Sequence, residues 1–283
     1  MIQIPLLGAL ALGTGTILEK IILKKRKIDI RLYQTASFLA ITLLMIPLLY
    51  FFWKLDGEAF TLKNILIFVA IIISSVLANV FALYSIKWEK VTNLEPAKLF
   101  EPLFVICLTL LFGLFISGFY ETNTKFLLPA LIAGLAILFP HIKKEHLRLN
   151  KYFIAALLGS LFFALELVLS KLVLDFYSPI TFYFLRCLFV FLISLILFRP
   201  KFSSLDKKIS FKIFIVAGIW IVYRLAVYFG YSKYGIIFTT LITMLAPIVI
   251  YILANRFLKE KLNWKNILSS AIILGCVVYV LLS

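Results

Sequence analysis

The clearest ionisable side chains deep within long apolar runs of the chain are Glu166, Arg186 and Arg224, with Glu101 in a second set. A charge at the centre of a membrane helix costs about 2.5–3.5 kcal/mol on insertion scales, so such residues pair with one another or face water. Glu166, Arg186 and Arg224 each sit six or seven residues from the same end of their runs, about 10 Å deep at 1.5 Å per residue. Three helices would then bring a carboxylate and two guanidiniums to one level. A guanidinium forms a bidentate fork on a carboxylate or phosphate. One arginine is therefore expected to grip an anionic group, while Glu166 holds the other or exchanges a proton. The alternative is a closed ion-pair cluster that only orients helices, and Arg186 has the further option of snorkelling to the surface.

Trp220, Tyr223 and Tyr228 flank Arg224 and offer either a pocket floor beneath a cation or ordinary packing. A second polar set comprises Glu95, Lys98 and Glu101, spaced one helical turn apart and interrupted by Pro96 and Pro102. Glu95 and Lys98 read as belonging to the membrane interface. Glu101 lies deeper and is the candidate for a coupling proton. Asn79 is expected to face this set, and it aligns with Arg224 in the internal comparison described below. Glu19-Lys20 reads as an interfacial pair.

The elements that carry these residues follow from composition. Of 283 residues, 63% are hydrophobic and 15% charged, with a mean hydropathy of +1.08; a soluble domain is nearer half apolar and a quarter charged. Ten apolar segments have roughly the length of a membrane helix. They run over 4–23, 32–53, 65–86, 93–115, 125–139, 152–172, 180–198, 211–231, 236–257 and 264–282. Such long runs without alternation are helices and not barrel strands. The first is read as a span and not as a removable signal peptide, because no basic segment precedes it. The fold class is thus all-α integral membrane. Trp53, Trp88 and Trp264 near segment ends read as interfacial anchors.

The net charge of +16 would suit nucleic acid, but the basic residues sit in short clusters between apolar runs. No soluble segment is long enough to present a basic surface, so nucleic acid is not an expected partner. Loops after the first, third, fifth, seventh and ninth segments carry 20 of the 29 Lys and Arg residues, and the opposite loops carry 5. The basic side is accordingly expected to be cytoplasmic, with both termini outside. Cys107, Cys187 and Cys276 all lie in apolar runs, and His141 and His146 share a basic loop without carboxylate or thiol neighbours. No metal site is expected.

The two halves match at an offset near 150. Gly8-Ala9-Leu10 aligns with Gly159-Ser160-Leu161, Glu101-Pro102-Leu103 with Ala246-Pro247-Ile248, and Ala130…Gly134 with Ala271…Gly275. The last is a small-xxx-small pattern that lets helices approach closely. Tandem duplication of five helices, an odd number, inverts the second copy. The expected organisation is therefore ten transmembrane helices as two inverted five-helix repeats, over residues 1–140 and 151–283, the geometry by which one midplane site is offered to each side in turn.

Specific segments add a family resemblance. Phe184-Leu185-Arg186-Cys187-Leu188-Phe189, Leu245-Ala246-Pro247-Ile248-Val249, Phe257-Leu258-Lys259-Glu260-Lys261-Leu262 and Ile272-Ile273-Leu274-Gly275 resemble motifs of the ten-helix EamA branch of the drug/metabolite transporter superfamily. The first half departs from the pattern, with Ala36 where Arg186 aligns and residues 118–124 in place of the glutamate-basic loop. The resemblance implies a secondary carrier of small metabolites, often amino acids, or of lipid-linked or drug-like molecules. No GxxxxGK[ST] phosphate loop is present, so no nucleotide or other cofactor is expected. An enzyme is not expected either, since there is no HExxH, GxSxG or pair of facing aspartates. The expected partners are a small-molecule substrate, membrane lipid and a coupling proton, the protein being a monomer or homodimer. The competing expectation is a lipid or lipid-linked-sugar translocator of the same superfamily.

Overall fold

Capped apolar runs set the helices. In a computed structural model, residues 3–23, 28–89, 94, 97, 100–116, 124–138, 151–259 and 264–282 are described. The helices are α1 (Gln3–Leu23), α2 (Ile30–Phe52), α3 (Leu62–Trp88), α4 (Phe100–Phe115), α5 (Thr124–Leu138), α6 (Lys151–Val173), α7 (Pro179–Phe198), α8 (Lys207–Tyr234), α9 (Ile236–Thr243), α10 (Ala246–Leu253) and α11 (Trp264–Leu282). Asp29 caps α2 by accepting from the Arg31 N–H, and Ser178 caps α7 by accepting from the Thr181 N–H, with Pro179 opening the helix. Gly235, at φ 89°, makes the reversal between α8 and α9, a backbone conformation that a residue with a Cβ rarely adopts.

Seven helical stretches among the described residues are long and apolar enough to cross a bilayer, with residues 151–176 and 236–258 each counted as one, and three shorter apolar helices accompany them. The chain is a multi-pass membrane protein. The ninth apolar segment, expected as one uninterrupted span, is divided at Met244–Leu245 into α9 and α10. Pro247 is the physical reason: it has no N–H to give, and its ring crowds the carbonyl four residues back, at Thr243.

The helices pair in a reciprocal way. α1 packs along α8 and α6 along α3; α2 packs along α7; α5 packs along α11; α1 also packs on α10, and α6 on α4. Exchanging each apolar segment for the one five places along returns these same pairs, whereas the packing of α9 on α5 is not matched to that extent between α4 and α11 among the described residues. The aligned glycines share this role. A Cβ on Gly8 would come within 3.1 Å of Ala226 on α8, and one on Gly159 within 3.1 Å of the Ala82 backbone on α3. Gly134 also sits tightly, against Leu103, but Gly275 has nothing within 4 Å of its would-be Cβ, so the small-residue pattern brings helices together in the first half only.

At the end opposite the basic loops, the turn after α2 and the turn after α6 are joined. Leu55 and Tyr177 form an antiparallel bridge. Asp56 N–H donates to the Phe176 carbonyl at 2.8 Å, and Ser178 N–H to the Lys54 carbonyl at 3.1 Å. The Ser178 hydroxyl adds a bond to the Phe52 carbonyl at 2.6 Å, and the Lys54 N–H one to Thr181 Oγ1 at 3.0 Å. These bonds clamp the two halves together at one end of the bundle.

Candidate functional site

α6, α7 and α8 bring Glu166, Arg186 and Arg224 into direct contact, as their common depth implied. Arg224 Nη1 stands 3.0 Å from Glu166 Oε2, and Arg186 Nε stands 3.4 Å from Glu166 Oε1. The first contact is close in distance but lacks hydrogen-bond alignment, so its attraction is mainly coulombic. All three residues are buried. Arg186 has 2% of its surface exposed, which excludes snorkelling.

Neutral groups complete the cluster. The Tyr228 hydroxyl donates to Glu166 Oε1 at 2.8 Å and accepts from Arg186 Nη1 at 3.0 Å. Arg186 also donates to Ser75 Oγ on α3, from Nη2 at 2.7 Å and from Nε at 3.2 Å. Ser170 Oγ donates to the Glu166 backbone carbonyl at 2.6 Å. Arg224 lies between two rings, its guanidinium carbon 5.2 Å from the Phe163 centroid and 5.4 Å from that of Tyr223. Tyr183 covers Arg186 at 5.5 Å. Tyr223 and Phe163 therefore present their rings to the Arg224 cation, in the arrangement that attracts cations to ring faces.

Two guanidiniums thus share one carboxylate in direct contact. Arg186 and Arg224 line a central cavity, together with Trp220, Tyr223, Asn79 and Glu101. Glu166 does not line it and stands behind the two arginines as their shared counter-ion. The cavity gives about 150 Å³ to the centres of water molecules, and one water needs roughly 10–15 Å³ by this measure. Its walls also include Thr240, Thr243 and Pro247, on either side of the Met244–Leu245 break between α9 and α10.

Asn79 shares the cavity wall with Glu101, as expected, and donates to the Ser75 carbonyl at 2.7 Å. Trp220 is half-buried and meets the Tyr223 ring edge-on at 5.6 Å. Glu95, Lys98, His141 and His146 lie outside the described residues. No metal-ligand cluster occurs among the described residues.

Glu19 and Lys20 are buried inside the bundle instead of facing water at its surface. Glu19 lines the cavity toward its basic end. Lys20 Nζ donates to the Ile86 carbonyl at 2.6 Å and to the Glu89 carbonyl, placing a cation on the negative end of α3. Gln34 and Tyr33 line the same region, and Gln34 Oε1 is buried without a hydrogen-bond partner. A buried acceptor left open in a cavity wall is a place for water or ligand.

Removing the counter-ion should test its structural weight. Glu166→Gln takes from two buried guanidiniums the carboxylate they share, and breaking a buried pair typically costs about 3–5 kcal/mol. A lower unfolding midpoint in detergent is the expected result, and an unchanged midpoint would show that the pair adds nothing to folding.

Comparison with known proteins agrees with this architecture. Residues 150–282 match the EamA-like transporter family. A solved structure described only as "Crystal structure of protein" aligns over 97% of this chain and 96% of its own, with a TM-score of 0.66 and 15% identity. At that identity the likeness establishes the fold alone. No curated protein matches the chain.

Proposed function

We propose that this membrane protein, whose residues 150–282 are an EamA-like transporter domain, is a secondary carrier that moves a small polar molecule bearing an anionic group by alternating access. The observation that carries the reading is the cavity wall on which Arg186 and Arg224 share the single carboxylate of Glu166. A guanidinium is always charged and presents a fork of donors, so with Glu101 protonated the cation in excess over Glu166 is matched by a carboxylate or phosphate on the substrate. Arg224 is the primary anchor, because it also contacts the cavity-lining Tyr223 and Phe163. Arg186 is the supporting cation, since Ser75 and Tyr228 already occupy its donors. Trp220, Tyr223 and Asn79 complete the binding surface.

The alternating motion follows from the paired helices. Ten crossings in two inverted sets of five would exchange roles about the cavity, and the reciprocal packing of α1 on α8 and α6 on α3 is what that symmetry requires. The basic end faces the cytoplasm and both termini lie outside. Glu101 is the coupling group: it lines the same cavity and acts electrostatically on Arg224. A proton taken by Glu101 as substrate binds would link the two movements.

The reading is tested with purified protein and a panel of small carboxylates, phosphates and zwitterions. At least one should raise the melting temperature in detergent, and the same compound should enter proteoliposomes that hold only this protein and no ATP. If no compound stabilises the protein or enters, the reading fails. Glu101→Gln is expected to abolish accumulation driven by a pH gradient while leaving exchange of labelled for unlabelled substrate. Undiminished pH-driven accumulation in that variant would remove Glu101 from the mechanism.

A further inference from the structure

A second recess lies on the outer surface of the bundle at its basic end, apart from the central cavity. It is an open groove of about 730 Å³ between the start of α2, the end of α3 and the start of α6. Its two levels differ in chemistry. Toward the middle of the bundle its floor is apolar, with Phe81 and the exposed Ile154. At the end it carries Arg31, Lys87 and Lys151, with the exposed Trp88 beside them.

These cations are held in place by the fold. Lys87 Nζ donates to the Ile28 carbonyl at 2.7 Å and lies 5.3 Å from the Trp88 ring centroid. Lys151 stands 5.2 Å over the Tyr152 ring. Two helix N-termini, those of α2 and α6, end at the groove and add their positive dipole ends. Among the described residues of the lining the one carboxylate is Asp29, which accepts from the Arg31 N–H as the cap of α2.

We propose that this groove binds an anionic phospholipid of the leaflet at the basic end. The phosphate sits among Arg31, Lys87 and Lys151, and the first part of an acyl chain lies over Phe81 and Ile154. Three cations against one engaged carboxylate give charge complementarity to the headgroup, and basic pockets between membrane helices suit such lipids. The apolar level below matches a chain in a way that a free anion would not use. Trp88 stands beside the cations at the end of α3, and indole rings settle at the headgroup level. The site is independent of the transport reading, because among the described residues none of its lining lines the central cavity.

The test counts lipids bound to the purified full chain by native mass spectrometry, with phosphatidylglycerol and phosphatidylcholine compared at equal concentration. One phosphatidylglycerol should be retained in preference. The double variant Arg31→Gln/Lys151→Gln should bind it roughly 30-fold more weakly, from about fivefold per cation near an anionic headgroup. The control Lys207→Gln/Lys208→Gln removes the same charge from exposed positions at the same end of the bundle and should leave that binding unchanged. In the unmutated protein, phosphatidylglycerol should also slow acylation of Lys87 and Lys151 by a water-soluble amine reagent without protecting Lys207. Equal retention of the two lipids, equal loss in both double variants, displacement by inorganic phosphate, or absence of protection at Lys87 and Lys151 would each overturn the proposal.

Discussion

Arg224→Ala is expected to abolish both ligand-induced stabilisation and uptake. Removing one partner of a buried, hydrogen-bonded charge contact costs about 2–5 kcal/mol of binding, which is a loss of roughly 30-fold to several thousand-fold in affinity. The loss should exceed that from Arg186→Ala, because Arg186 spends its donors on Ser75 and Tyr228. Folding should suffer less than in Glu166→Gln. With Arg224 gone, Glu166 retains Arg186 and the Tyr228 hydroxyl, whereas losing Glu166 strands two cations. The measurement is a pair of titrations, one of melting temperature against ligand and one of initial uptake rate against substrate, each with the wild type alongside. If Arg224→Ala lowers stability but binds and transports as the wild type does, the cluster is a structural one and the substrate site lies elsewhere.

A disulfide across the clamp is expected to stop transport completely and reversibly. Leu55 and Tyr177 are bridged between the bonds from Asp56 to Phe176 and from Ser178 to Lys54. That pattern makes them a non-hydrogen-bonded antiparallel pair, whose α-carbons stand about 4.5 Å apart. A disulfide needs roughly 4.4–6.8 Å. Leu55→Cys/Tyr177→Cys, in a background where Cys107, Cys187 and Cys276 are replaced, should therefore close on mild oxidation. Uptake should fall to the level of empty liposomes and return with reductant. The single-cysteine variants control for loss of the Tyr177 ring, which packs against Phe68 and Phe182. Full transport by the cross-linked protein would mean that this end of the bundle does not open.

Much of the site was legible because burying charge in lipid is costly. Glu166, Arg186 and Arg224 stand out against 63% hydrophobic residues, and their equal depth in three runs is enough to group them. Ser75 gives no such signal, because a serine in an apolar helix is cheap and common. Tyr228 had one: it lies four residues after Arg224, one turn along the same face of α8. Glu19 and Lys20 misled through their position near a segment end, where charges usually meet water. The cation is instead drawn inward by the carbonyls that end α3, a partner 66 residues away along the chain. The break at Met244–Leu245 was hidden for a different reason. Hydropathy reports how long an apolar run is and says nothing of whether its hydrogen-bond ladder is continuous, although Pro247 marked the place. The partner of each helix was only partly accessible. The aligned Gly8 and Gly159 predicted a shared role, but nothing in either segment names α8 or α3 as the surface each glycine meets.

The central claim is that one cavity opens to each side of the membrane in turn. It is tested most directly by Thr243→Cys, a single thiol at the helix break in the cavity wall, placed in a cysteine-free background with and without the 55–177 cross-link. A small membrane-impermeant thiol reagent is applied to each side of sealed vesicles. Without the cross-link, the thiol should react from both sides, and substrate should slow both reactions. With the cross-link closed, reaction from the clamped side should cease while reaction from the basic side persists. Labelling from the clamped side that is unaffected by the closed cross-link, or labelling from one side only in the uncross-linked protein, would contradict the account.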